Sequence, residues 1–214
     1  MKKKILLLLL VLSPILAAEA QYFRFGGKAG GGVAGASGND APSDQINRYA
    51  SIHVGLIAAY DFAAPITLHS ELLYIKKGLT YSTYDVNPTE YYSGDLRLNY
   101  LELPLLVKYR AGGLFAEAGP YLGYLLSLNS DVSRYNSSSA GGATPQVIGP
   151  QNFNRNQFQA FDYGYAIGGG LAFENGFFMG LRHTGGLRSF SSEELNMRNS
   201  VWQISIGYLL PGVL

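Results

Sequence analysis

The chain has 214 residues, enough for one all-β domain or two small ones, with only 14% charged residues against 13% aromatics and 27 glycines. Its net charge of +1 makes no electrostatic case for nucleic acid. The absence of cysteine excludes disulfides, thiolate metal sites and a cysteine nucleophile.

Lys2, Lys3 and Lys4 precede an apolar run from Ile5 to Leu16, and Ala18-Glu19-Ala20 has the small-x-small form of a cleavage site. This predicts a signal peptide over residues 1–20, cut before Gln21, and a domain over residues 21–214. The run is shorter than the ~20 residues a helix needs to span a bilayer.

Eight strands with a period of two are predicted after it. The first, residues 22–34, sets Phe23, Phe25, Ala29 and Val33 against Arg24 and Lys28. The second, 49–62, sets Ile52, Val54, Leu56, Tyr60 and Phe62 against His53 and Gly55. After a turn at Ala63-Ala64-Pro65, the third, 66–77, places Ile66, Leu68, Leu72 and Tyr74 opposite His69 and Glu71. The fourth and fifth form the hairpin NYLELPLLVKYRAGGLFAEAGPYLGYLLS. Leu101, Leu103, Leu105, Val107 and Tyr109 lie on one side of it, and Glu102 and Lys108 on the other. Gly112-Gly113 predicts a type I′ turn, and that register sets Lys108 opposite Glu117.

The sixth strand, 160–173, opposes Phe161, Tyr163, Tyr165, Ile167 and Phe173 to Asp162, Gly164 and Gly168. Glu174-Asn175-Gly176 turns into the seventh, 177–188, with Phe177, Met179 and Leu181 against Arg182, and Asp162 facing Arg188 at the far end. In the eighth, Trp202, Ile204, Ile206 and Tyr208 alternate with Gln203, Ser205 and Gly207.

Residues 35–48, 78–95 and 129–159 are predicted long polar loops; the turns at the other end are short. That alternation is the pattern of an eight-stranded antiparallel up-and-down transmembrane β-barrel, with both termini on the periplasmic, short-turn side. A soluble lipocalin-like barrel would turn the apolar parity inward around a ligand. The polar parity decides against it: it is rich in Gly, Ala and Ser, where a water-facing surface would be dense in Lys and Glu. Its charges balance, with Arg24, Lys28, Lys108 and Arg182 against Glu71, Glu102, Glu117 and Asp162, as an enclosed interior requires. Tyr60, Phe62, Tyr109, Phe173, Phe177 and Tyr208 fall near the short turns, and Trp202 near the long loops, as two interfacial belts.

The segments PITLHSELLYIKKGLTY, NYLELPLLVKYR, FAEAGPYLGYLLS and FDYGYAIGGGLAFE resemble the small outer-membrane β-barrel domain family that includes PorT-like proteins, of the size of the OmpA and OmpX barrels. The resemblance covers most of the chain from Phe25 to Tyr208. It implies residence in a Gram-negative outer membrane, and in PorT-like members an association with protein export. It implies little about activity.

No catalytic residue, metal ligand or cofactor site is expected. His53 and His69 fall far apart in register and read as interior filler. His183, on the lipid-facing parity near the outer rim, invites an alternative as a barrel-wall lipid-modifying enzyme, but Gly185 stands where a serine would be wanted. Eight strands leave an interior only wide enough for side chains. Function is therefore expected at the three outer loops, through a protein partner or lipopolysaccharide, with the Tyr-rich 78–95 segment the best equipped for contact.

Overall fold

The computed structural model describes residues 23–136, 145–192 and 195–211. The predicted signal peptide and its cleavage site lie outside these residues. Ten strands are present among them: β1 Phe23–Ser37, β2 Ile46–Ala63, β3 Ile66–Asn87, β4 Glu90–Ala111, β5 Leu114–Ser130, β6 Ser133–Asn136, β7 Gln146–Pro150, β8 Phe161–Ala172, β9 Phe177–Gly186 and β10 Arg198–Leu209. Every pairing is antiparallel. Eight strands run in the order β3-β2-β1-β10-β9-β8-β5-β4, and β3 pairs with β4 to close the ring. Closure leaves no unpaired edge inside a bilayer, where a bare peptide group would cost several kcal/mol.

The registers follow from the turns. Ala111 pairs with Leu114, which brings Lys108 opposite Glu117. His53 lies opposite Ile75 and His69 opposite Ala59, so the two histidines occupy different levels of the barrel. Only Gly112 of the Gly-Gly pair takes a positive φ, at 60°. The turn therefore has the II′ pattern rather than the I′ expected.

The alternation fixes which face is outside. Leu56, Val107, Ile204 and Ile206 are 54–68% exposed, whereas Lys77, Glu102 and Gln203 are 0% exposed. Burial is inverted relative to a water-soluble barrel, and the cause is the solvent. Hydrocarbon takes apolar side chains without loss, while the charges find partners only in the lumen. On β3 the outward apolar residues are Ile66, Leu68, Leu72 and Tyr74; on β4 they are Leu101 to Tyr109 at every second position. Beyond them the same parity carries Lys76, Arg97 and Asp95. The apolar stretch matches the ~9–11 tilted residues that cross a bilayer as a strand.

β3 and β4 do not stop there. Each has 22 residues, and they continue as a hairpin past the apolar band to Asn87 and Glu90. The 78–95 segment, expected as a loop, is therefore mostly strand. Its Thr and Tyr residues favour strands, and Leu79, Tyr81, Leu96 and Leu98 keep the inward parity. Only Pro88-Thr89 turns. The 129–159 segment is likewise partly ordered. β5 runs to Ser130, β6 pairs with the upper part of β4, β7 pairs with β6, and Arg155–Gln157 forms one 3-10 turn. The 35–48 segment is shortened at both ends by β1 and β2.

The lumen is layered along its axis. Toward the short turns, Ile57, Ala59, Phe115, Phe178 and Leu209 form a small apolar cluster. Charged residues follow. Toward the outside, Ile75, Leu79, Leu96, Leu98, Tyr100 and Leu125 meet Phe158, Phe190 and Met197 from the connections above. Phe158 and Phe190 stack at 6.3 Å, and the bridge between Phe158 and Ser191 holds this cap in place. An apolar cap on a polar lumen was not foreseen from the alternation, which does not show that loop aromatics fold back over the barrel.

Candidate functional site

The buried charges form two groups. In the first, Arg182 on β9 is the hub. Its guanidinium donates from Nη1 and Nη2 to the two oxygens of Glu71 at 2.6 and 2.8 Å, and from Nε to Glu117 at 2.8 Å. Lys28 Nζ lies 2.8 Å from Glu71, and Lys108 Nζ lies 3.3 Å from Glu117 and 4.0 Å from the centre of the Phe115 ring. The cross-strand row explains the reach: Arg182 pairs with Gly168, and Gly168 with Glu117. With no side chain on Gly168, the guanidinium crosses the intervening strand. A Cβ there would sit 3.2 Å from that of Arg182.

The second group has Lys77 at its centre, wholly buried, 2.7 Å from Glu102 and 3.0 Å from Asp162. Again a glycine makes room: Asp162 pairs with Gly123, which pairs with Glu102, so both carboxylates converge on one ammonium. Tyr121 Oη and Asn199 Nδ2 donate to Asp162 at 3.2 and 2.9 Å, and Lys77 lies 4.5 Å above the Tyr121 ring.

Of the eight charges expected to face one another, the structure brings Lys28, Glu71, Lys108, Glu117 and Arg182 together. It joins Glu102 and Asp162 through Lys77, which is not among those eight. Lys77 sits on the parity of His69 and Glu71, at the last position of the predicted strand. Arg24 is separate. It makes a two-point ion pair with Asp61 at the short-turn rim, at 2.7 and 2.8 Å, and Asp61 was also not singled out. Asp162 does not meet Arg188 despite the predicted register: Arg188 turns to Gln159 and to the Phe161 carbonyl.

Shared partners set the cost of removing each charge. The first group has three cations and two carboxylates. Without Lys108, Glu117 keeps Arg182. Arg182→Met removes three charge-assisted hydrogen bonds at once, leaving Glu117 to Lys108 at 3.3 Å and Glu71 to Lys28, and is expected to cost about 3–5 kcal/mol, whereas Lys108→Met should cost about 1 kcal/mol or less. Urea unfolding of the barrel refolded into lipid vesicles measures both. Equal losses would mean that Lys108 contributes as much as Arg182 and that Arg182 is not the hub.

The interface aromatics are outward or half-buried. Phe62, Tyr109, Phe173 and Phe177 are 49–63% exposed. Phe23, Tyr60 and Phe62 form a chain of ring contacts at 4.8 and 4.9 Å, and Phe177 meets Tyr208 at 4.8 Å. At the opposite rim His183 lies between Tyr165 and Trp202, with ring centres at 5.9 and 4.8 Å, and its Nε2 is 3.2 Å from Ser200 Oγ. That serine comes from the neighbouring strand β10, so the spacing along β9 does not reveal it. Inside, His53 Nε2 contacts Ser205 Oγ at 2.8 Å. Among the described residues no three His, Asp or Glu side chains are grouped to hold a metal ion.

Above the membrane β3, β4, β6 and β7 form a four-stranded sheet. Tyr91 and Tyr135 stack at 5.3 Å, and Tyr81, Tyr84 and Tyr92 pack edge to face. Arg134 Nε donates to Glu90 at 2.8 Å, and these hydrogen bonds hold the Glu90 carboxyl below the usual carboxylate range. Arg97 and Asp131 form a further pair. Val86, Val147 and Ile148 are 39–63% exposed on this sheet.

A closed eight-stranded ring with an apolar outer belt and an ion-paired lumen defines an outer-membrane β-barrel. Residues 17–192 match the family model described as outer membrane protein beta-barrel domain, and the chain belongs to that family. Neisserial surface protein A has the same fold, with a TM-score of 0.50 at 11% identity, over 86% of this chain and 96% of that one. The Yersinia pestis attachment invasion locus protein Ail aligns with a TM-score of 0.40 at 11% identity, over 88% of this chain and 99% of its own. OprG of Pseudomonas aeruginosa aligns at 0.45 and 11% identity, over 88% and 96%. No curated protein matches by sequence. The protein is therefore placed in the outer membrane, in contact with lipid.

Proposed function

We propose that this barrel is a non-enzymatic outer-membrane protein whose lumen is a structural plug and whose work is done by the sheet outside. The signal peptide over residues 1–20 delivers it, the two charged groups and the apolar cap fill the interior, and the aromatic rims anchor it at the two interfaces. The observation that carries the reading is the extension of β3 and β4 beyond the apolar band, where they recruit β6 and β7. Ordering that much chain outside the membrane costs conformational entropy, and the sheet it builds presents Val86, Val147 and Ile148 to the exterior. A protein partner or lipopolysaccharide is the counterpart proposed. The part in protein secretion implied by the PorT-like segments would be exercised at this same surface. To test it, a photoreactive amino acid is placed at Ile148 or at Ile204 in whole cells. The reading predicts a discrete protein or lipopolysaccharide adduct from Ile148 and phospholipid alone from Ile204. Identical adducts from both positions would exclude it.

The contact between His183 and Ser200 favours a second reading, a barrel-wall lipid hydrolase with Ser200 as nucleophile and His183 as base. Lysophospholipid release from reconstituted vesicles, lost in Ser200→Ala, would support this reading; no release above empty vesicles would remove it.

A further inference from the structure

The lumen charges do not balance locally. On the inward parity of the periplasmic half stand Arg24, Lys28, Lys108, Arg110 and Arg182, against Asp61, Glu71 and Glu117. Toward the outside the sign reverses, with Lys77 alone between Glu102 and Asp162. The periplasmic end thus holds a surplus of two positive charges. Lys108 shares Glu117 with Arg182 and accounts for one. Arg110 accounts for the other. Its Nε and Nη2 donate to the carbonyls of Gly112 and Ala172 at 3.1 and 3.4 Å, and it has no ion-pair partner among the described residues.

These groups face open space. A cavity of about 590 Å³ at the periplasmic mouth is lined by Arg24, Asp61, Thr67 and Arg110, with Pro65 and Ile66 as apolar wall. A recess of about 40 Å³ carrying His69 and Lys108 continues inward and shares Arg24, Thr67 and Arg110 with it. Asp61 does not oppose an anion strongly, because Arg24 and Thr67 already occupy its oxygens at 2.7–2.8 Å. Arg110 retains free N–H donors in the planar fork that suits a carboxylate or phosphate. The volume falls in the range of small-molecule sites and exceeds what a bare anion fills.

We propose that the periplasmic mouth of the barrel binds a small organic anion, a carboxylate or phosphate carried on an apolar body, with Arg110 as the principal contact and Lys108 supplying the surrounding positive field, the Arg24–Asp61 pair being neutral. Such a group reaches the mouth either as a free periplasmic solute or as the headgroup of an inner-leaflet phospholipid.

The test is an NMR titration of the barrel in phosphatidylcholine nanodiscs, following the arginine Nε–H signals as benzoate or inorganic phosphate is added. The expected result is a saturable shift of the Arg110 signal, with benzoate binding more tightly than phosphate because of the apolar wall. Benzoate affinity, followed on the Arg24 signal, should fall at least tenfold in Arg110→Gln and stay unchanged in Arg48→Gln, an exposed cation at the opposite rim. Nanodiscs containing phosphatidylglycerol separate the sources. Competition with benzoate by that lipid supports the site and assigns it to the headgroup; absence of competition supports it and assigns it to a free solute. No saturable change in the unaltered barrel, which needs no variant to fold, would overturn the proposal. So would equal affinity in the two variants.

Discussion

Lys77→Leu is expected to destabilise the barrel by about 3–5 kcal/mol, among the largest losses of any single lumen substitution. Lys77 is 0% exposed and its ammonium lies between two carboxylates. Its removal leaves both charged in a medium that solvates them poorly. The two are not equivalent. Asp162 keeps donors from Tyr121 and Asn199, whereas neither oxygen of Glu102 has another hydrogen-bond partner among the described residues. Adding Glu102→Gln to Lys77→Leu should therefore recover more stability than adding Asp162→Asn. Urea unfolding in lipid vesicles gives the comparison, and the reverse order of rescue would show that Asp162 is the dependent carboxylate.

The second large effect lies on the opposite face. Leu105 is at the middle of the outward series from Leu101 to Tyr109 and is 45% exposed. Leu105→Arg places a guanidinium near the bilayer midplane and should cost about 2–4 kcal/mol, whereas Tyr109→Arg at the interface should cost about 0–1 kcal/mol. Depth is the controlling variable. If both substitutions were silent, the Leu101–Tyr109 parity would be facing water, as in a ligand-binding barrel.

The fold was legible because each membrane-crossing strand obeys a strict period of two and because short turns fix register. From Ala111 and Leu114 alone the pairing of Lys108 with Glu117 followed; the separation of His53 from His69 also followed, although Ile66 pairs with Ala63 across a bulge and not with Phe62 as the turn implied. Legibility failed where the chain leaves the bilayer. Between residues 78 and 95 both faces meet water or a small apolar core, so polar residues no longer mark one parity and the strand looks like a loop. The lumen was legible in its residues but not in its partners. The side chains of Lys77 and Arg182 reach across neighbouring strands, through gaps left by Gly123 and Gly168, and those diagonals depend on the stagger of the closed ring. The cap of Phe158, Phe190 and Met197 is a contact between distant connections and carries no periodic signal.

Trp202 offers the most direct test of which face meets lipid, since it is the only tryptophan in the chain. It lies at the outer end of the outward series on β10, beside His183. With the barrel reconstituted in vesicles, its fluorescence is measured against lipids brominated at shallow or deep acyl positions and against aqueous iodide. The inside-out arrangement predicts strong quenching by shallow bromines, less by deep ones and little by iodide. Efficient quenching by iodide with none by brominated lipid would contradict it.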